Sequence, residues 1–246
     1  MKFVRVIKDD GVLQICVRDK EVYNVYEMFH ARHMLHLRAY KHKTCSIVEE
    51  MIKEALIKAK DHFRVPGTAG VELFAAASAP EAYTLLTDQV FQQIMSFHDP
   101  DGKLKEAKAI LKRVEKRQLY KFVDQTLKKT EDNFDSETFC TKMPPDSDLT
   151  KDDIILMRVT FDYEMKEQNP MDYVKFFKKD NINVAVTIHR EQLSKILPTT
   201  FRDVQIRVIC RKDDDASIKA ARRCFSAWFG DGDTTTEQQH LDTAQT

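Results

Sequence analysis

The stretch FHARHMLHLRAYKHK, residues 29–43, concentrates side chains that bind metals or phosphates. It holds four of the eight histidines, two arginines and two lysines, and it contains no carboxylate. Imidazoles are common zinc ligands, whereas guanidinium and ammonium groups bind phosphate oxygens. The stretch therefore indicates a metal site, a phosphate-binding surface or the solvated face of an ordinary helix.

A metal site is the weakest of these interpretations. His30, His33 and His36 recur every three residues and drift around a helix, so they do not converge on one ion. No H-x-x-x-H or H-E-x-x-H pattern occurs, and His33 points into an apolar side. A histidine on an apolar face is usually a satisfied core residue.

A helical wheel over residues 20–43 predicts two apolar stripes, and therefore a helix packed on two sides. The first stripe contains Val22, Tyr26, Phe29, Leu37 and Tyr40, and the second contains Val25, Met28, Leu35 and Ala39. Arg32 falls within the second stripe, and its neighbours one turn away are not acidic. Burying an unpaired guanidinium is costly, so we expect either a carboxylate from another element or an anionic ligand.

Charge is informative only locally, because Lys plus Arg and Asp plus Glu both number 39. No acid occurs from Met28 through Val48, which predicts a positive potential there. Five scattered cysteines without C-x-x-C favour free thiols, and no apolar run is long enough to span a bilayer, so we expect a cytosolic or nuclear protein. The dipeptide His98-Asp99 precedes Pro100 and Gly102 and is typical of a turn.

The elements that must position these residues are predicted from periodicity and turn signals. Asp10-Gly11 between two alternating runs predicts a hairpin, followed by helices over 20–41 and 46–62, the first capped by Asp19. Shorter helices are predicted at 81–86, 88–95 and 103–116, and later ones at 190–197 and 216–229. Strands are predicted within 119–127, 153–163, 172–179, 184–188 and 204–212, with a long loop at 139–153 and a disordered tail after 229.

Five segments carry a resemblance to a known family: RDKEVYNVYEMFHARHMLHLRAYKHK (18–43), EAYTLLTD (81–88), EAKAILKRVEKRQLYKFV (106–123), DYEMKEQNPMDYVKFF (162–177) and IRVICRKDD (206–214). Together they make the chain resemble the SAM- and HD-domain-containing deoxynucleoside triphosphate triphosphohydrolases of vertebrates. The resemblance runs from Phe3 to about Phe229 and does not include the acidic tail.

The resemblance implies a reaction and an assembly. The family cleaves dNTPs to deoxynucleoside and triphosphate, carries its metal on a His, an HD pair and an Asp, and forms tetramers around GTP and dNTPs bridged by Mg²⁺. Those metal ligands lie upstream of the matching segment. We therefore expect this chain to lack the SAM domain and the catalytic metal, to be inactive alone, and to join a homo-tetramer or an assembly with a full-length nuclear relative.

The resemblance also assigns site residues, position by position. The substrate positions are Arg32 on phosphate, Tyr40 on the deoxyribose, and Lys41, which stands where the family has glutamine. The interface dNTP site matches Phe3, Arg18, Lys20, Asn24, Arg38, His42, Lys43 and Arg190, the last in place of lysine. The GTP site matches Arg117 and Lys121, which share one face if the preceding helix persists.

The fold class expected is α+β, with a mostly helical front half and a smaller α+β lobe built on an antiparallel sheet. The corresponding domains are residues 1–117, the lobe 118–229 and an acidic tail 230–246. Two alternatives stay open: a binding protein for single-stranded nucleic acid or for the full-length enzyme, and a fragment that does not fold independently.

Overall fold

The computed structural model describes residues 3–128, 136–162, 165, 167–188 and 201–229. Its strands are β1 Val4–Asp9, β2 Val12–Arg18, β3 Lys121–Lys128, β4 Ile154–Asp162, β5 Lys175–Lys178, β6 Asn181–Val186 and β7 Arg202–Cys210. Its helices are α1 Val22–Leu35, α2 Lys43–Ala59, α3 Pro80–Leu85, α4 Val90–Ser96, α5 Lys105–Glu115, α6 Ser136–Cys140 and α7 Asp215–Phe229. The predicted helix at 190–197 and the predicted tail lie outside the described residues.

The N-terminal hairpin is confirmed. β1 and β2 pair antiparallel, and Asp10 and Gly11 between them have φ of 47° and 84°. Positive φ at both central residues is what a type I′ two-residue hairpin turn requires, and Asp-Gly accepts it at low cost.

The first sheet has the order β1-β2-β5-β6. β1 with β2 and β5 with β6 are antiparallel, but β2 and β5 run parallel, with Cys16 opposite Lys175. This sheet is therefore mixed. β5 and β6, its strands from the expected lobe, are antiparallel as expected, and β2 of the front half joins β5 in parallel. The expectation of a helical front half is wrong, because the described chain begins with the strands β1 and β2. β2 pairs in parallel with β5, which comes about 160 residues later, and parallel pairing needs a long crossover connection.

The chain forms two compact units, each assembled from separate segments. The first contains the described residues within Met1–His42, Asp124–Asp135 and Leu156–Arg207, and the second those within Lys43–Val123, Ser136–Ile155 and Val208–Thr246. The α+β class is confirmed, whereas the domain boundaries at 117 and 229 stay a prediction.

The core of the first unit lies between α1 and the first sheet. Val22 and Tyr26 of α1 pack with Met171 and Phe176, and all four are buried. A second cluster joins Ile7, Cys16 and Phe177. The beginning of α1 is thereby fixed against the sheet.

The second unit is built around α2, which packs against α5. The buried apolar residues of α2 recur at every fourth position, as expected for a helix with one apolar face: Ile47, Met51, Ala55 and Ala59. The predicted loop at 139–153 is partly wrong, because it begins inside α6, where Phe139 is fully buried and packs 5.7 Å, ring to ring, from Trp228.

Candidate functional site

The first group of predicted site residues surrounds the start of α1. The backbone N–H of Arg18 donates to the carbonyl of Phe3 at 2.9 Å, which holds the backbone of Phe3 beside the end of β2. Lys20 and Asn24 follow within the next turn and are exposed, and the Asn24 amide donates to Glu21 at 2.6 Å. Phe3, Arg18, Lys20 and Asn24 form what we call the N-terminal group. Asp19 provides no side-chain cap to this helix, contrary to the prediction.

The second group lies at the other end of α1, where the helix changes its winding. Residues His36–Tyr40 form a single turn of π-helix, closed by the N–H of Lys41 donating to the carbonyl of His36 at 2.9 Å. Such turns are rare and frequently occur at functional sites. The wider turn places Arg38 and Tyr40 on the exposed surface. We call Arg38, Tyr40, Lys41 and His42 the π-turn group.

Lys41 differs from its neighbours in this group because its side chain turns inward. Its ammonium donates to the carbonyl of Thr160 at 2.5 Å and lies 5.6 Å from the centre of the Phe161 ring. Its own carbonyl accepts from the guanidinium of Arg207 at 2.7 Å. Both ends of Lys41 are therefore held by the protein.

Arg207 is a residue that the sequence reasoning missed. It is only 4% exposed, burial lowers the pKa of its guanidinium, and Gln205 accepts from it through Oε1 at 2.8 Å and 3.1 Å. A signal existed in the sequence, since Arg207 is the single charge within the apolar run IRVIC. A charged residue inside a buried strand requires polar partners.

Arg32 does not lie on a buried stripe, contrary to the prediction from the helical wheel. Arg32 is exposed, as are Met28 and Leu35 on the same predicted stripe, at 61% and 49% for the two apolar residues. Within the described residues, the buried positions of α1 are Val22 and Tyr26. The desolvation cost that demanded a partner for Arg32 therefore does not arise, and its role as a phosphate ligand stays a prediction.

The histidines of α1 make separate contacts. His33 is half-buried and donates to the carbonyl of Asp162, and burial, its largest influence, lowers the pKa of its imidazole. His30 stacks on Tyr26, and the ring of His36 meets that of Tyr40 edge-on at 5.1 Å. Across the described ranges, no three His, Cys, Asp or Glu side chains are placed to hold a metal ion.

The N-terminal group and the π-turn group are far apart within one chain. Asn24 and Arg38 lie fourteen residues apart on one continuous helical segment, which at 1.5 Å per residue is about 20 Å. The two groups are therefore separate clusters within one chain.

Three of the remaining predicted residues, Arg117, Lys121 and Lys43, belong to the second unit. α5 ends at Glu115, so the helical spacing assumed for Arg117 and Lys121 is wrong: Arg117 has a φ of 58° and Lys121 begins β3. Both are exposed. Lys43 is the first residue of α2, with its ammonium 5.1 Å from the centre of the Phe122 ring. Arg190 lies outside the described residues.

The left-handed backbone at Arg117 belongs to a defined helix end. Its N–H donates to the carbonyl of Val114 at 3.1 Å, and the N–H of Gln118 donates to Arg113 at 2.9 Å, which together form a Schellman motif. The side chain of Arg113 returns a bond to the carbonyl of Gln118 at 3.1 Å and lies 5.0 Å from the Tyr120 ring. This turn presents Arg117 to solvent.

Two further predictions can be placed. Asp99 of the HD dipeptide accepts from the backbone N–H groups of Lys103 and Leu104, so it is turn chemistry as predicted. In the part of the chain that is described, no helix is both long and apolar enough to cross a membrane.

Comparison with known proteins identifies the relatives of this chain. No protein-family model matches it. It is 40% identical to the bovine and to the human deoxynucleoside triphosphate triphosphohydrolase SAMHD1, over 97% of this chain but only 42% and 40% of those proteins. A Dictyostelium discoideum SAMHD1 homolog is 28% identical over 87% of this chain and 39% of its own length. Over nearly its whole length the chain therefore belongs to the SAMHD1 family of deoxynucleoside triphosphate triphosphohydrolases, and it spans about two fifths of the relatives that it matches.

Proposed function

We propose that this chain supplies the nucleotide-binding and assembly portion of a deoxynucleoside triphosphate triphosphohydrolase. The reaction in which it takes part converts a dNTP and water to a deoxynucleoside and triphosphate. Membership of a family whose curated relatives carry that name supports the substrate class.

The observation that carries the proposal is the placement of two sets of site residues at opposite ends of α1. About 20 Å of helix separates them, so the interface dNTP site combines the N-terminal group of one chain with the π-turn group of another. The nucleotides then bind only where two chains meet. Binding of GTP and dNTPs therefore stabilises the association of the chains.

The chemistry of the π-turn group suits a triphosphate. Arg38 is an exposed cation, His42 follows it closely in the chain, and no acid occurs in the sequence from Met28 through Val48. Charge-assisted bonds from such groups to phosphate oxygens are stronger than neutral hydrogen bonds. The exposed ring of Tyr40 offers a flat apolar surface to a deoxyribose. Arg32, also exposed, joins this surface as the phosphate ligand of the substrate.

Two metals belong to the family scheme, and they differ in how they fit this chain. Mg²⁺ prefers oxygen ligands, which the phosphates of the bound nucleotides supply and the cationic groups around α1 do not. For the catalytic metal, the described residues offer no suitable cluster. We expect no triphosphate release from the isolated chain.

The proposal is tested by nucleotide-dependent assembly. The purified chain is mixed with GTP, dATP and Mg²⁺, and its mass is followed by analytical ultracentrifugation, with triphosphate release assayed in parallel. We expect dimers or tetramers with nucleotides and none without. Lys53→Gln, a charge change at an exposed position on α2, serves as the control. Unchanged mass together with no measurable nucleotide binding would contradict the proposal.

One observation favours a second function, binding of single-stranded nucleic acid. Lys112, Lys116, Arg117 and Lys121 are all exposed within ten residues of the second unit. A protein that binds the phosphodiester backbone loses affinity steeply as salt rises, and it tolerates any base. A nucleotide pocket loses less affinity with salt and prefers one base. Oligonucleotide binding that falls steeply with salt and persists in excess GTP supports this second function as a separate one.

A further inference from the structure

The residue that closes the π-turn is held at three points. The N–H of Lys41 donates to His36 at 2.9 Å, its carbonyl accepts from Arg207 at 2.7 Å, and its ammonium donates to Thr160 at 2.5 Å. The first bond defines the π-turn and the other two anchor it to distant segments. The family has glutamine at this position by resemblance, so the anchor depends on a residue that differs from the family pattern.

The ammonium of Lys41 meets a strand edge. β4 lies at one edge of the described sheet β3-β7-β4. Carbonyls of Thr160 and Asp162, two residues apart on β4, point to the same side of the strand. Lys41 binds the first and His33 of α1 binds the second. A row of edge acceptors is thus satisfied by side chains from α1 and the turn that follows it.

A lysine suits this anchor better than a glutamine. Its four methylenes let the stem lie along apolar surface while the head reaches the edge. The charged donor makes a stronger bond to a carbonyl than a neutral amide does. The Phe161 ring lies within cation–π range of both Lys41 and Arg207, at 5.6 Å and 5.9 Å.

We propose that Lys41 and Arg207 are positioning residues, which fix the π-turn so that Arg38 and Tyr40 stand exposed to the nucleotide, and that Lys41 does not read the nucleobase. This inference rests on the proposed function, since it assumes that the π-turn group binds a nucleotide. By resemblance, the family residue at position 41 contacts the base. We propose a different role for Lys41, which is to hold the backbone of the π-turn.

The test compares Lys41→Met, Lys41→Arg and Lys41→Gln with the wild-type chain. Affinities are measured for the four dNTPs and for inorganic tripolyphosphate, which has no base. We expect Lys41→Met to weaken all five ligands by a common factor of about tenfold, with Lys41→Arg restoring most of the loss. A changed preference among bases with unchanged tripolyphosphate affinity would mean that Lys41 contacts the base, and would overturn the proposal.

Two measurements keep the outcome decisive. Hydrogen exchange of the amides from His36 to His42 should accelerate in Lys41→Met and in Arg207→Lys but not in Lys53→Met, an exposed lysine of α2. Equal exchange in all variants overturns the positioning role even if the thermal transition is unchanged. If the wild-type chain binds no ligand while exchange responds as expected, the proposed function fails and the anchor of the turn stands.

Discussion

At the scale of single residues, exposure decides what each group can do. Arg32, Arg38 and Tyr40 are exposed to solvent, whereas Arg207 and Cys224 are buried inside the protein. Sequence patterns assigned Arg32 to a buried stripe because they treated α1 as packed on two sides. The position of a residue on a helical wheel does not fix its burial.

Arg32 gives a first prediction. Because its side chain is exposed, we expect Arg32→Gln to change the free energy of unfolding by less than about 1 kcal/mol while weakening dNTP binding. Urea unfolding and nucleotide titration measure the two effects. A large loss of stability with intact nucleotide binding would instead favour the other alternative from the sequence, in which Arg32 pairs with a carboxylate of another element.

Cys224 and Cys45 give a second prediction, about thiol reactivity. Burial raises the pKa of Cys224 to about 11, and its Sγ donates to the carbonyl of Phe139 at 3.3 Å. At pH 8 roughly one thiol in a thousand is then ionised, so alkylation by iodoacetamide should be far slower than at the exposed Cys45. Mass spectrometry of the folded chain reports both sites. Denatured protein, where both should react alike, is the control, and equal rates in the folded chain would contradict the expectation.

At the scale of elements, the C-terminal ends of α1 and α5 carry candidate nucleotide-binding residues. α1 continues into a π-turn and α5 ends in a Schellman motif, and each change of backbone brings cations to the surface. Neither feature follows from local periodicity. The π-turn depends on Thr160 and Arg207, which lie 119 and 166 residues from Lys41 in the sequence.

The helix end at Arg117 gives a third prediction, in which stability and binding change in opposite directions. A left-handed φ costs a residue with a Cβ about 1–2 kcal/mol, and the extra freedom of unfolded glycine offsets about 0.5–1 kcal/mol. Arg117→Gly should therefore stabilise the fold by up to about 1.5 kcal/mol and weaken GTP binding. Denaturant unfolding and GTP titration test this, with Arg117→Lys as the charge-preserving comparison. Unchanged GTP affinity in Arg117→Gly would remove Arg117 from the GTP site.

His33 on α1 gives a fourth prediction, about pH. Burial lowers the folded-state pKa of its imidazole below the unfolded value, while the Asp162 carbonyl and Asp203 oppose this, and His30 and His36 act with burial. The neutral form therefore stabilises the fold above about pH 6.5, and this contribution is lost as the pH falls from there through the folded pKa. The slope for one proton is at most about 1.4 kcal/mol per pH unit.

The His33 effect is measured as the free energy of unfolding at pH 7.5 and pH 5.5. We expect His33→Asn to reduce the loss of stability between these values relative to wild type. His62→Asn, at an exposed histidine, should leave the loss as it is. An identical pH dependence in wild type and His33→Asn would show that this imidazole does not contribute.

At the scale of the whole molecule, the sequence predicted what is local and missed what is distant. The hairpin at Asp10-Gly11 and the helix α2 follow from turn chemistry and periodicity. The parallel pairing of β2 with β5 and the contact of the Lys41 side chain with Thr160 both join segments far apart in the sequence. Local patterns do not predict such contacts. The family and its candidate residues came from resemblance, since phosphate-binding cations look like any solvated basic surface until their positions are known.

The last prediction concerns assembly in trans. If one site combines the N-terminal group of one chain with the π-turn group of another, Lys20→Gln and Arg38→Gln should each impair nucleotide-dependent association when every chain carries the change. A mixture of the two variants forms some interfaces that pair the intact N-terminal group of the Arg38→Gln chain with the intact π-turn group of the Lys20→Gln chain. Association should then recover in part, as read by sedimentation with GTP, dATP and Mg²⁺. A chain that held a whole site could not regain it from a neighbouring chain. No recovery would therefore mean that each site lies within one chain, or that the two groups form no site.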